Sequence, residues 1–146
     1  MTKNERWVAK AKASNDIRGY LNYLYSDGRR LMATDGHRLH LAPTTLSAGY
    51  YNSELIPVDE SAKYPDVVRV IPNKGKQCIC DMGSLVMDRR GKVELYQLPD
   101  GGWINKRYWD QAVGDQEAVV YVSASNGARR IDFDDGRVAV VMGVRL

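Results

Sequence analysis

Apolar and polar positions alternate along much of the chain, and short glycine-bearing pairs interrupt the alternation at intervals. Asp27-Gly28, Asp35-Gly36, Arg90-Gly91, Asp100-Gly101, Asn126-Gly127 and Asp135-Gly136 each sit between apolar or alternating runs. The glycine supplies the positive φ that a tight hairpin turn demands, so each pair is expected to be a corner between antiparallel strands. Ala118–Val122 is β-branched and aromatic. Ile131 and Phe133 alternate with Arg130, Asp132 and Asp134. Val138, Val140 and Met142 alternate with Ala139 and Val141, apolar on both faces as a buried strand is. Ser84–Met87 and Lys92–Tyr96 read as a further hairpin around Arg90-Gly91.

Two segments follow a helical period instead. From Lys3 to Ala13, Trp7, Val8 and Ala11 fall on one side and Lys3, Arg6 and Lys10 on another. From Asn105 to Val113, Tyr108, Trp109 and Ala112 face inward and Lys106 and Arg107 outward, with Asn105 as N-cap and Gly114 as stop. Each helix is followed by strands joined by tight turns. The reading is a single α+β domain over residues 1–146 with two helix-plus-antiparallel-strand halves, about 1–43 and about 103–146. A connecting segment, about 44–102, is rich in Pro, Gly and Tyr at its start.

Composition narrows the classes. A chain of 146 residues, 44% hydrophobic, suits one folded domain. No segment approaches the roughly 20 apolar residues of a membrane span, and no signal-type apolar run follows the first residues, so a soluble cytoplasmic protein is expected. A net charge of +3 and a pI near 8.9 point only weakly to a polyanionic partner. Cys78 and Cys80 are too close on one strand for a mutual disulfide and too few for a structural zinc site. His37 and His40 point to opposite faces of a strand, so with Asp35 they make no metal site. Asp132, Asp134 and Asp135 lack the calcium-loop pattern and read as a solvated strand face and turn. No nucleophile elbow is present. The expectation is a non-enzyme with no cofactor and no metal.

Four segments carry a family resemblance. They are Asp16-Ile17-Arg18-Gly19-Tyr20-Leu21-Asn22, Thr34-Asp35-Gly36-His37-Arg38-Leu39, Tyr64-Pro65-Asp66-Val67-Val68-Arg69-Val70-Ile71-Pro72 and Val141-Met142-Gly143-Val144-Arg145-Leu146. In this order they resemble the bacterial DNA polymerase III beta subunit, the sliding clamp. The first is similar to the strand before the family's TDGHRL turn, the second to that turn, the third to an interdomain linker and the fourth to the terminal VMPMRL.

The resemblance implies a groove for short peptide tails of DNA polymerases and repair proteins. Its lining would be Leu21, Thr34, Gly36, His37, Arg38, Leu39, Pro65, Arg69, Val70, Val140, Met142, Gly143, Val144, Arg145 and Leu146. It also implies duplex DNA as a partner, with Lys3, Arg6, Lys10, Lys106 and Arg107 meeting phosphates through non-specific contacts. The chain departs from the family in size, having room for one of the three domains of a clamp subunit, as a shortened, phage-encoded product would. Gly143 and Val144 stand where the family has proline and methionine. Two functions follow: a processivity-factor type of DNA replication protein, self-associating into a ring, or a non-ring interaction protein. The latter would act as a decoy for clamp-binding partners or bind and interfere with a host clamp.

Overall fold

The computed structural model describes residues 1–74, 76–78, 85–87, 91–98, 101–122 and 127–144. Arg145, Leu146 and Cys80 lie outside the described residues, as does the side chain of Cys78. Helix α1 spans Lys3–Ala9 and α2 spans Lys106–Ala112. The strands, in chain order, are β1 (Leu24–Ser26), β2 (Arg30–Thr34), β3 (Arg38–Pro43), β4 (Gly49–Tyr51), β5 (Pro57–Val58), β6 (Lys76–Cys78), β7 (Leu85–Met87), β8 (Glu94–Gln97), β9 (Trp103–Asn105), β10 (Val119–Val122), β11 (Arg129–Asp132), β12 (Val138–Val141) and β13 (Gly143–Val144). Among the described residues they form a nine-stranded sheet, β5-β4-β1-β2-β3-β12-β11-β10-β6, and a four-stranded sheet, β13-β9-β8-β7. All pairings are antiparallel, and the class is α+β as expected. The glycines of all six predicted corners have positive φ, between 68° and 93°.

The two halves meet at β3 and β12. Leu39 pairs with Val140 and His40 with Ala139, flanked by Arg38 with Val141 and Leu41 with Val138. Adding 100 to a β3 residue number gives its counterpart in β12, and the same shift relates Asp35-Gly36 to Asp135-Gly136. The pairing therefore maps onto itself under an approximate two-fold between the central pairs.

Alternation along the strands sorts side chains into two apolar clusters. Leu31, Ala33, Ala42, Val120, Ile131, Ala139 and Val141 join Trp7, Val8, Trp109 and Ala112, so both helices cover one face. Met32, Leu39, Leu41 and Val140 join Leu21, Tyr50, Tyr64 and Val67 on the other. The helices are tied directly, since the Trp7 indole N–H donates to the Ala112 carbonyl at 2.8 Å. Burial of Trp7 and Trp109 matches the inward faces expected of both helices.

Three expectations are corrected. Helix α1 ends at Ala9, not Ala13: the Trp7 carbonyl is contacted by His40 Nδ1 at 2.8 Å, and the next amides bond three residues back in a tightening turn. Its start is fixed by a reciprocal cap between Thr2 and Glu5. Asp16–Asn22 is not a strand. The Asn22 amide bonds the Asp16 backbone and Gly19–Asn22 is a 3₁₀ turn, which folds Leu21 under the sheet. The terminal strand is two strands: β12 stays in the large sheet, the Met142 N–H donates to the His37 carbonyl at 3.1 Å, and β13 pairs with β9 in the small one.

Candidate functional site

The Asp35-Gly36 corner and the end of β12 are brought together by the β3–β12 pairing, and the site grows from that junction. The Asp35 carboxylate accepts from the His37 and Arg38 amides, and Thr34 Oγ1 donates to the Arg38 carbonyl at 2.6 Å while accepting from Gly36 N–H. The turn is thus held by its own polar side chains. Gly36 has φ +93°, and a Cβ there would meet Arg18 Nη2 at 3.0 Å, so Arg18 lies over the corner. Arg18 is itself ion-paired with Asp16 at 3.1 Å, which holds the Asp16 carboxyl below its ordinary pKa through the side-chain hydrogen bond.

His37, Met142, Gly143 and Val144 line a pocket of about 270 Å³ closed by Val93 and Leu95 of the β8 hairpin and by Asn105 and Tyr108 at the start of α2. The size suits one or two side chains rather than a drug-sized ligand. The lining mixes apolar side chains with three polar residues, His37, Asn105 and Tyr108. Arg38 does not enter this pocket. Its buried guanidinium pairs with Asp35 at 3.2 Å, bonds Gln111 Oε1 and stacks over the Tyr108 ring at 4.3 Å, bracing the wall from behind. Burial lowers its pKa despite Asp35.

Leu21, Leu39 and Val140 lie on the opposite face of the sheet, buried together with Tyr64 and Val67. Pro65, Arg69 and Val70 belong to the neighbouring segment, where Val67–Val70 is a 3₁₀ turn that leaves Val68, Arg69 and Val70 exposed. Apart from Thr34, Gly36 and Arg38 at the corner, the expected groove residues that are described therefore form two groups. One lines the pocket at the sheet junction, and the other packs beside the Tyr64–Val70 segment. Asn105, Tyr108, Val93 and Leu95 were not expected in the site. Asn105 and Tyr108 are three apart across a helix start, where a cap and a first-turn aromatic share one side; the sequence pattern showed them only as cap and core. As expected of the cap, Asn105 accepts from Tyr108 N–H, at 3.3 Å.

On the helix side, Lys3, Arg6, Lys10 and Arg107 are exposed, and Lys106 is half-buried, bonded to Asp110 at 2.6 Å and set over the Tyr96 ring.

A helix pair on one face of continuous antiparallel sheet, in two halves related by an approximate two-fold, is the architecture of a sliding-clamp domain. Solved clamps share it over nearly the whole chain. The DNA polymerase sliding clamp from Pseudomonas aeruginosa matches with a TM-score of 0.64 and 17% identity, over 99% of this chain and 65% of that chain. DNA polymerase III subunit beta from Borrelia burgdorferi, in complex with a natural product, matches with 0.69 and 14%, over 97% and 60%. The sliding clamp from Bartonella birtlesii bound to griselimycin matches with 0.66 and 18%, over 97% and 63%. The chain thus spans somewhat less than two thirds of the length of these clamps. No family model matches the sequence, and no curated protein matches it.

Proposed function

We propose that the protein is a clamp-like, non-catalytic accessory factor of DNA replication that docks short peptides of polymerases and related proteins. The observation that carries this reading is the pocket itself. It joins His37 of the first half to Met142, Gly143 and Val144 of the second, beside the helix cap Asn105 and Tyr108. A glutamine side chain suits its polar groups. A following bulky apolar residue suits the exposed side of the segment that covers the buried Leu21, Leu39 and Val140, with Pro65, Arg69 and Val70 at its rim and Thr34 and Gly36 at the corner between the two groups. Two of the clamps with this fold carry a bound natural product or griselimycin, which supports a ligand-taking surface on the fold. The test is calorimetric titration of a peptide with one glutamine and two or three bulky apolar residues. Binding by the intact protein that drops on His37→Ala and on Met142→Ala is the expected result. No binding at millimolar peptide would remove the peptide-receptor reading.

The exposed cations of α1 and α2 support a second part of the same function, weak duplex binding through phosphates. It is tested by its salt dependence, which should be steep. Mass in solution by light scattering separates a ring-forming factor from a monomeric decoy of clamp-binding partners: a closed oligomer favours the first, a monomer the second.

A further inference from the structure

Tyr64 stands out because its hydroxyl is buried and has no hydrogen-bond partner among the described residues. The residue is 6% exposed and packed in the apolar cluster that holds Leu21, Leu39 and Val140. Its ring stacks on Tyr25 at 4.7 Å and meets Tyr20 and Tyr50 edge-on, which fixes the direction of the hydroxyl. The hydroxyl lies near the Thr34 backbone without reaching hydrogen-bond geometry, and burial pushes its pKa well above the ordinary tyrosine value. A buried polar atom left unpaired costs stability that phenylalanine would not lose. The segment over this region is weakly held. Val67–Val70 is a single 3₁₀ turn with no side-chain cap, closed by long bonds of 3.3 Å and 3.4 Å, with Val68 and Val70 turned outward.

We propose that Tyr64 is a specificity-determining residue of the peptide groove. When a peptide seats at the Val67–Val70 turn, the turn shifts off the cluster of Leu21, Leu39 and Val140 and the uncovered Tyr64 hydroxyl donates to a carbonyl oxygen of the peptide. This rests on the peptide-binding reading above. It accounts for a tyrosine whose buried oxygen meets no hydrogen-bond partner among the described residues of the unliganded fold. The bound state supplies the acceptor that the free state lacks, so part of the affinity comes from relief of an unsatisfied group.

The experiment compares the full chain with Tyr64→Phe, measuring thermal midpoint without ligand and dissociation constant for the same glutamine-containing peptide. The variant is expected to melt at the same or a higher temperature and to bind roughly three- to tenfold more weakly, the size of one neutral hydrogen bond. A purely structural role predicts the opposite pattern, a lower midpoint. Unchanged or tighter binding by Tyr64→Phe, with binding by the parent intact, overturns the role of Tyr64 and leaves the groove standing. A lower midpoint also overturns it, since the hydroxyl would then have a partner within the fold. Absence of binding by the parent protein removes the groove and this inference together.

Discussion

His40 and Gly143 show how single positions are decided by the tertiary surroundings. The His40 ring is fully buried, stacks on Trp7 with centroids 4.2 Å apart, and contacts the Trp7 carbonyl through Nδ1, while Nε2 has no hydrogen-bond partner among the described residues. The uncharged ring is the form that fits, and burial takes its pKa from 6.5 down to about 3. Because the folded value lies below the unfolded one, the unfolded chain binds the extra proton. The stability held by the neutral ring is complete above about pH 6.5 and is lost progressively as pH falls toward 3. We expect the unfolding midpoint to fall between pH 6 and about 4, and His40→Phe to flatten that part of the profile. The carboxyls with lowered pKa, Asp16, Asp27 and Asp135, act below the ordinary aspartate value of 3.8, which separates their contribution from that of His40. An equal slope in parent and variant would contradict the assignment. Gly143 stands where the resembling family has proline. A Cβ there would sit 2.8 Å from the Gly127 carbonyl oxygen, a backbone atom that does not swing aside. Gly143→Ala is therefore expected to cost about 1–3 kcal/mol in chemical denaturation, as an overpacked position does. A cost within a few tenths of a kcal/mol would show that the Gly127 turn yields freely.

At the scale of elements, local chemistry was legible where the element depends on itself. The six glycine corners needed only an Asx or Arg before a glycine, and α2 needed only Asn105 and Gly114, whose φ is +57°. Elements set by contacts across the fold were not legible. The end of α1 depends on His40, which is 33 residues away from Trp7. The turn at Gly19–Asn22 depends on Asn22 folding back onto Asp16. The break between β12 and β13 depends on the bond from Met142 to His37. The site divided in the same way. His37, Met142, Gly143 and Val144 were visible through motifs, whereas Val93, Leu95 and Tyr108 enter the pocket only because β13 pairs with β9, β9 with β8, and α2 packs on β8 and β9. Helix charges carry a prediction of their own. Lys106 is bonded to Asp110, while Lys3, Lys10 and Arg107 are exposed. In a duplex-binding assay at low salt, Arg107→Ala should weaken affinity more than Lys106→Ala, and Asp110→Asn should strengthen it by releasing the lysine. Equal losses for the two alanine variants, or no gain for Asp110→Asn, would argue against phosphate contact by α2.

The whole molecule places its pocket where the chain crosses from one sheet to the other. Repetition alone would have given two such places, because the Asp-Gly corners are related by the approximate two-fold. The second corner is filled by its own side chains. Arg137 pairs with Asp135 at 2.8 Å, bonds Gln116 at 2.6 Å and stacks over Trp7 and Phe133, while Pro43 packs against Gly136. At the first corner Arg38 makes the matching set of contacts with Asp35, Gln111 and Tyr108, but His37 and the β13 residues leave space between them. Of the two corners, only the first carries an open site among the described residues. A ligand there would touch Met142 at the end of the large sheet, Gly143 and Val144 of β13, and Leu95 of β8 in the small one. It should therefore act as a brace between the sheets and raise the melting midpoint with concentration by mass action, about 2.7 kcal/mol at one hundred times the dissociation constant. Hydrogen exchange should localise the effect. Amides of β9 and β13 are expected to slow on saturation with the glutamine-containing peptide, while those of β4 and β5, at the far edge of the large sheet, should stay unchanged. Protection spread evenly over both sheets, or confined to β4 and β5, would place the ligand away from the junction and contradict a single site built from His37 and the β13 strand.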